Sequence, residues 1–171
     1  MEIAQYDAII IGAGISGMYQ LHRLRGLGLS ARVFEAGDDL GGTWFWNRYP
    51  GCRFDSESYS YGYSFSDDIL REWDWSEHFA AQPETLRYLE FVAAKLDLRR
   101  DIQFGSRVES AAYDEEANLW EVLLADGRSA RSRIVITAIG ALSTPVLPAI
   151  EGIESFRGPA IHTGLWPSEP V

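Results

Sequence analysis

Three glycines spaced Gly12-x-Gly14-x-x-Gly17, followed by the acid Glu35, are the residues whose types and spacing point most directly to chemistry. Gly12 permits a sharp turn out of a strand, Gly14 lets the backbone approach a pyrophosphate, and Gly17 lets a helix pack close on the sheet. The free N–H groups and positive dipole end of that helix then face the phosphates. Glu35 is placed to accept hydrogen bonds from ribose hydroxyls and would repel a 2′-phosphate. FAD or NAD is therefore the expected occupant of this turn, and NADP is not. A second turn, Gly37 to Gly42, has paired glycines that suit a loop wrapped around a ligand. Thr43 to Ser58 then crowds Trp44, Phe45, Trp46, Tyr49 and Phe54 into a stretch with neither alternation nor helical spacing. Pro50-Gly51 breaks it into two extended pieces. Its aromatic side chains serve either as filler beneath a loop or as rings packed on a planar ligand. Phe156 to Pro167 reads, from residue types alone, as a loop with His162 and anchoring aromatics.

The elements that must position these residues follow from periodicity and punctuation. Ala8-Ile9-Ile10-Ile11 is a buried strand, and Gly17, Leu21, Leu24 and Gly28 recur at helical spacing. Ala31 to Phe34 is a second strand ending on Glu35. Strand, GxGxxG, helix, strand and acid thus fall within about thirty residues, the full context of a dinucleotide fingerprint. Asp67 to Phe79 reads as a short helix carrying Trp73 and Trp75. A longer helix starts at Pro83, a favoured first-turn residue, and runs to about Leu98 with Leu86, Leu89, Val92, Ala93 and Leu96 on its apolar face. Three β segments follow: Ile102 to Tyr113, Leu119 to Leu124 and Ala130 to Ala138, with Asp126-Gly127 as a hairpin turn. The last is apolar enough to rejoin the central sheet, and it ends at Gly140 on the carboxyl edge where ligands sit in open α/β sheets. The expected fold class is α/β: a Rossmann-like FAD-binding domain with a parallel central sheet and an antiparallel β-meander. Residues 1–140 form that domain, and 141–171 form a turn-rich linker.

Composition narrows the partners. A net charge of −10 argues against nucleic acid or an anionic membrane. No apolar run approaches the ~20 residues needed to cross a bilayer. Glu2 and Asp7 near the start leave no basic leader, and the single cysteine, Cys52, cannot form an internal disulfide. A cytoplasmic enzyme domain without a metal site is the expectation.

The chain resembles the type I Baeyer–Villiger monooxygenases along essentially its whole length. Three pieces carry the resemblance: the Gly12–Gly17 fingerprint, the block Gly41-Gly42-Thr43-Trp44-Phe45-Trp46-Asn47-Arg48-Tyr49-Pro50-Gly51-Cys52-Arg53-Phe54-Asp55-Ser56-Glu57-Ser58, and the run Phe156-x-Gly158-x-x-x-His162-x-x-x-Trp166-Pro167. The last is the family's signature and sets it apart from related flavin monooxygenases. The resemblance implies tightly bound FAD, NADPH and O₂ as co-reactants, and a ketone substrate converted to an ester or lactone. It implies that Gly12, Gly14, Ile15, Ser16, Gly17 and Glu35 contact the FAD phosphates and ribose. Gly42, Thr43 and Trp44 lie over the flavin, Tyr61 and Gly140 add contacts, and Val108 lies on the adenine side. Arg53 and Asp55 fall beside the flavin in a catalytic role, as an arginine–carboxylate pair. His162 and Trp166 belong to domain movement and cofactor coupling. Cys52 and Phe54 stand where relatives often have alanine and cysteine. A second GxGxxG, opening an NADP domain, is not found within the 171 residues. The chain is thus expected to be a partial enzyme, inactive alone, with NADPH bound largely outside it. The alternatives are another flavin monooxygenase of the N-hydroxylating type, or a cofactor-binding piece without catalysis.

Overall fold

The computed structural model describes residues 3–167, Glu169 and Val171. Ala8, Ile9 and Ile10 are completely buried, because they lie on β1 (Ala4–Ile11), which has a parallel neighbour on each side. One neighbour is β2 (Ala31–Phe34), in register Ile10 to Val33. The other is β6 (Ser129–Thr137), in register Ile10 to Ile136. β3 (Ile102–Gln103) extends the parallel edge beside β2. β4 (Val108–Asp114) and β5 (Leu119–Leu124) form an antiparallel meander onto β6. Among the described residues this gives one six-stranded sheet in the order β3–β2–β1–β6–β5–β4. The α/β class, parallel centre and antiparallel meander read from the sequence are all present.

The period of two along each strand splits the core between the faces. Ala8, Ile10 and Val33 join the larger cluster, with Met18, Leu21 and Leu24 of α1 (Ile15–Gly26). Ile9 and Phe34 face the other way, onto Val122, Leu124 and Ala130. α5 (Gln82–Lys95) adds Tyr88, Leu89, Val92 and Ala93 to the larger cluster, with Pro83 in its first turn. No helix among the described residues is long and apolar enough to cross a membrane.

Three expectations need correction. The segment Ile102 to Tyr113 is not one strand. Gly105 takes φ +58°, its N–H donates to the Gly37 carbonyl, and Ser106 N–H donates to the Glu35 carbonyl at 2.7 Å. The chain thus leaves the β3 edge, and β4 starts at Val108 on the far side of the sheet. The helix expected over Asp67 to Phe79 stops as α4 (Asp67–Glu72), because Trp73 is extended and packs its ring on Tyr88 and Phe91 of α5. The first half of the aromatic block is not extended either: it holds the helical turn α2 (Thr43–Trp46), whereas Cys52 to Asp55, after Gly51 at φ +78°, is extended and leads to α3 (Ser58–Tyr61).

Candidate functional site

The turn leaving β1 is built so tightly that two of its glycines are fixed by neighbouring backbone. A Cβ on Gly12 would lie 2.6 Å from the Ala138 carbonyl oxygen, and one on Gly17 would lie 1.9 Å from the Gly12 carbonyl oxygen. Gly14 meets the second glycine turn, where a Cβ on Gly42 would fall 2.8 Å from the Gly14 Cα. The two turns are also joined by the Gly41 N–H donating to the Ala13 carbonyl at 3.0 Å. α1 starts at Ile15 with no side-chain cap and no acid in its first turn. Its free N–H groups and positive end are left to a ligand, and a diphosphate fits that set of donors.

Glu35 is buried at 5% exposure, and both its oxygens are engaged. Ala13 N–H donates to Oε2 at 2.6 Å and Gly37 N–H to Oε1 at 2.7 Å. The carboxylate therefore clamps the two glycine turns together, a duty the spacing did not reveal. Each oxygen keeps a second lone pair for a ribose hydroxyl.

Around Trp44 the aromatic block is closely fastened. The Trp44 indole N–H donates to the Tyr61 hydroxyl at 2.8 Å, and Tyr61 stacks on Phe54 at 4.3 Å with 12° between the rings. Trp44 meets both rings edge-on at 5.7 Å. Burial pushes the Tyr61 hydroxyl above the usual phenol range; the Trp44 hydrogen bond opposes that rise and the Asp55 charge adds to it. The Gln82 side-chain amide donates to the Trp44 carbonyl, while the Gln82 N–H donates to the Cys52 carbonyl at 2.8 Å. Gln82 thereby joins α2 to the segment that follows Pro50. In that segment Cys52 and Phe54 are buried, and Arg53 and Asp55 are exposed, an extended alternation that puts the two charged residues on one side. They do not form an ion pair with each other. Arg53 Nη1 instead donates to Glu77 at 2.8 Å and to the Phe79 carbonyl at 2.9 Å.

Glu77 belongs to a loop fixed from several directions. The buried Ser58 hydroxyl donates to the Glu77 carbonyl at 2.6 Å and accepts from Ala80 N–H at 3.1 Å. The Glu84 carboxylate takes both the N–H and hydroxyl of Ser76. Gln82, Glu77, Ser58 and Glu84 support the candidate site and escaped sequence reasoning, because their partners are backbone groups or lie many residues away.

The remaining candidates are more dispersed. Thr43 is held by Asn47, whose amide donates to the Thr43 carbonyl at 3.0 Å. Val108 pairs with Leu124 and packs against the smaller cluster, two residues after Ser106, whose N–H bonds the Glu35 carbonyl. Gly140 follows β6 at φ +72° in open space, so it is backbone conformation and not crowding that favours glycine there. In the final segment Phe156 is 61% exposed and folds over Gly158, where a Cβ would meet its ring at 2.7 Å. His162 Nδ1 accepts from Gly164 N–H at 3.0 Å, so the neutral ring carries its proton on Nε2. A Cβ on Gly164 would lie 3.7 Å from Asn47 Oδ1, which brings the His162 turn against the aromatic block. Trp166 is half-buried and Pro167 exposed.

Known proteins resemble this arrangement throughout. A family profile described as NAD(P)-binding Rossmann-like domain matches residues 10–68. The 2-oxo-Δ3-4,5,5-trimethylcyclopentenylacetyl-CoA monooxygenase of Pseudomonas putida is 47% identical over 163 residues, covering 95% of this chain and 30% of that protein. The structure of cyclohexanone monooxygenase from Rhodococcus sp. Phi1 bound to NADP+ superimposes with TM-score 0.93 at 43% identity, covering 99% of this chain and 32% of that one. The structure of OTEMO in complex with FAD and NADP gives TM-score 0.88 at 47% identity, covering 95% of this chain and 31% of that one. The chain therefore spans about a third of the length of these relatives. Its glycine turn, aromatic block and six-stranded sheet are thus similar, along nearly the whole chain, to the N-terminal ~30% of the type I Baeyer–Villiger monooxygenases.

Proposed function

We propose that the chain is the FAD-binding portion of a Baeyer–Villiger monooxygenase that uses NADPH and O₂ to convert ketones to esters or lactones. The observation that carries this reading is the uncapped start of α1, packed backbone-to-backbone on the Gly41-Gly42 turn and clamped to it by Glu35. The N–H groups of Gly14, Ile15, Ser16 and Gly17 would hold the FAD diphosphate, and Gly12 would allow that approach. Glu35 would receive the ribose hydroxyls, and Val108 would border the adenine. Gly42, Thr43, Trp44, Tyr61 and Gly140 would line the flavin. When bound, FAD supplies the two-electron and oxygen chemistry. Asp55 and Arg53 would act beside it, Arg53 as a fixed positive charge near developing negative charge. Residues 1–140 would form the FAD domain. Residues 141–171, with Phe156, Gly158, His162, Trp166 and Pro167, would lead to an NADP-binding part and transmit its movement. A reducing cytoplasm suits the enzyme, since the buried Cys52 is unpaired.

The test is ketone turnover by the complete enzyme, wild type against Asp55→Ala. Wild type should oxidise NADPH in a ketone-dependent way and release ester or lactone. Asp55→Ala should lower oxygenation more than it lowers bound FAD. Flavin and activity lost in proportion would remove Asp55 from the chemistry. Oxygenation of amines with no ketone turnover would favour the N-hydroxylating reading.

A further inference from the structure

The dinucleotide turn is also held from a side that neither the glycine spacing nor Glu35 explains. Tyr63 reaches it from beyond the aromatic block: its hydroxyl donates to the Ile15 carbonyl at 2.6 Å. The Tyr63 N–H in turn donates to the Tyr88 hydroxyl of α5 at 2.7 Å. The ring is set among Tyr19, Phe65 and Tyr88, with centroids 6.4, 5.2 and 6.1 Å away. Burial pushes the Tyr63 hydroxyl far above the ordinary phenol range, and the nearby Tyr88 and Tyr61 add to the rise. It therefore remains a neutral donor at any working pH.

The Ile15 carbonyl and the Ser16 N–H are opposite ends of one planar trans peptide, so they point in opposite directions. In a helix the carbonyl points toward the C-terminus and the N–H toward the N-terminus. A partner that fixes the Ile15 oxygen therefore fixes the direction of the Ser16 N–H. That N–H is one of the first-turn donors without an intrahelical acceptor. A hydrogen bond at the oxygen also polarises the peptide and strengthens its N–H as a donor. No side chain caps this turn, so the Tyr63 hydroxyl is the side-chain group that orients it.

We propose that Tyr63 is a positioning residue for anion recognition, its hydroxyl aiming the Ser16 N–H at the diphosphate of a bound dinucleotide by holding the Ile15 carbonyl. This rests on the FAD reading above. Tyr63→Phe keeps the ring and its packing and removes only the oxygen. Flavin-depleted full chain, wild type and variant, is titrated with FAD, with ADP and with adenosine, the last two by competition. FAD and ADP, which carry the diphosphate, should bind about five- to tenfold more weakly to the variant, the loss typical of one hydrogen bond. Adenosine, which has no phosphate, should bind both proteins alike. Equal weakening of all three ligands would mean that the fold has loosened, and unchanged binding of all three would mean that the carbonyl needs no partner beyond the α1 N–H that already bonds it. Either result overturns the proposal. Wild type that takes up neither FAD nor ADP would remove the FAD reading, and the role of Tyr63 with it.

Discussion

Glu35 shows how one residue can be legible in type and hidden in duty. An acid at the end of the second strand is what the fingerprint asks for, and its place was plain from the sequence. Its partners, the N–H groups of Ala13 and Gly37, are backbone donors that any residue offers, so no spacing announces the clamp. Two measurements separate its roles. In Glu35→Ala, two donors lose their acceptor, and each buried orphan costs about 1–3 kcal/mol, so apo-protein unfolding should show a clear loss. FAD affinity should fall as well, by about 1.5–3 kcal/mol, the amount typical of a lost charged hydrogen bond. Reduced stability with unchanged FAD affinity would leave Glu35 as a clamp alone. Arg53 teaches the same lesson from the other direction. The family resemblance implied a pair with Asp55, yet the loop fastened by Ser58 and Glu84 presents Glu77 to it instead.

At the scale of elements, the glycine turn is the clearest case of geometry dictating sequence. A methyl on Gly17 would fall 1.9 Å from the Gly12 carbonyl oxygen, which is backbone and cannot step aside without moving β1 or α1. Gly17→Ala should therefore cost about 3 kcal/mol, the upper end of the usual penalty for overpacking. Gly26, at the other end of the same helix, has nothing within 4 Å of its Cβ position. Gly26→Ala should be neutral or gain up to about 1 kcal/mol through the unfolded chain. Denaturant unfolding of the two variants checks this, and a tolerated Gly17→Ala would contradict the close packing. The strands and helices with strong periodicity were legible: β1, α1, β2, α5, β5 and β6. The failures came where a distant partner overrode local pattern. Trp73 leaves its helix to pack on α5, and Gly105 turns the chain off the β3 edge toward the Glu35 backbone.

For the whole molecule, the parallel centre and the meander followed from apolar runs and one Asp-Gly turn, but the way they share β6 did not. Ala130 of β6 pairs with Ala4 on one side and Val122 on the other, while Ile134 to Thr137 pair with β1 alone. Only the folded chain reveals that division, because it is the more polar half, Ser129 to Ser132, that carries the pairing with β5, and the apolar run is left to β1. The aromatic block was legible as a place, since its residue types stood out. Its internal fastening was not, since Trp44 is joined to Gln82 and Tyr61 across the intervening chain. The central proposal for the whole molecule is an FAD site formed by the Tyr6–Glu35 unit with the Gly41-Gly42 turn. Equilibrium titration of the chain with FAD, followed by competition with ADP and with ADP bearing a 2′-phosphate, tests it most directly. One FAD should bind per chain, displaced by ADP and much less well by the 2′-phosphorylated nucleotide, which Glu35 should repel. No saturable uptake of FAD, or stronger competition from the 2′-phosphorylated nucleotide, would contradict it.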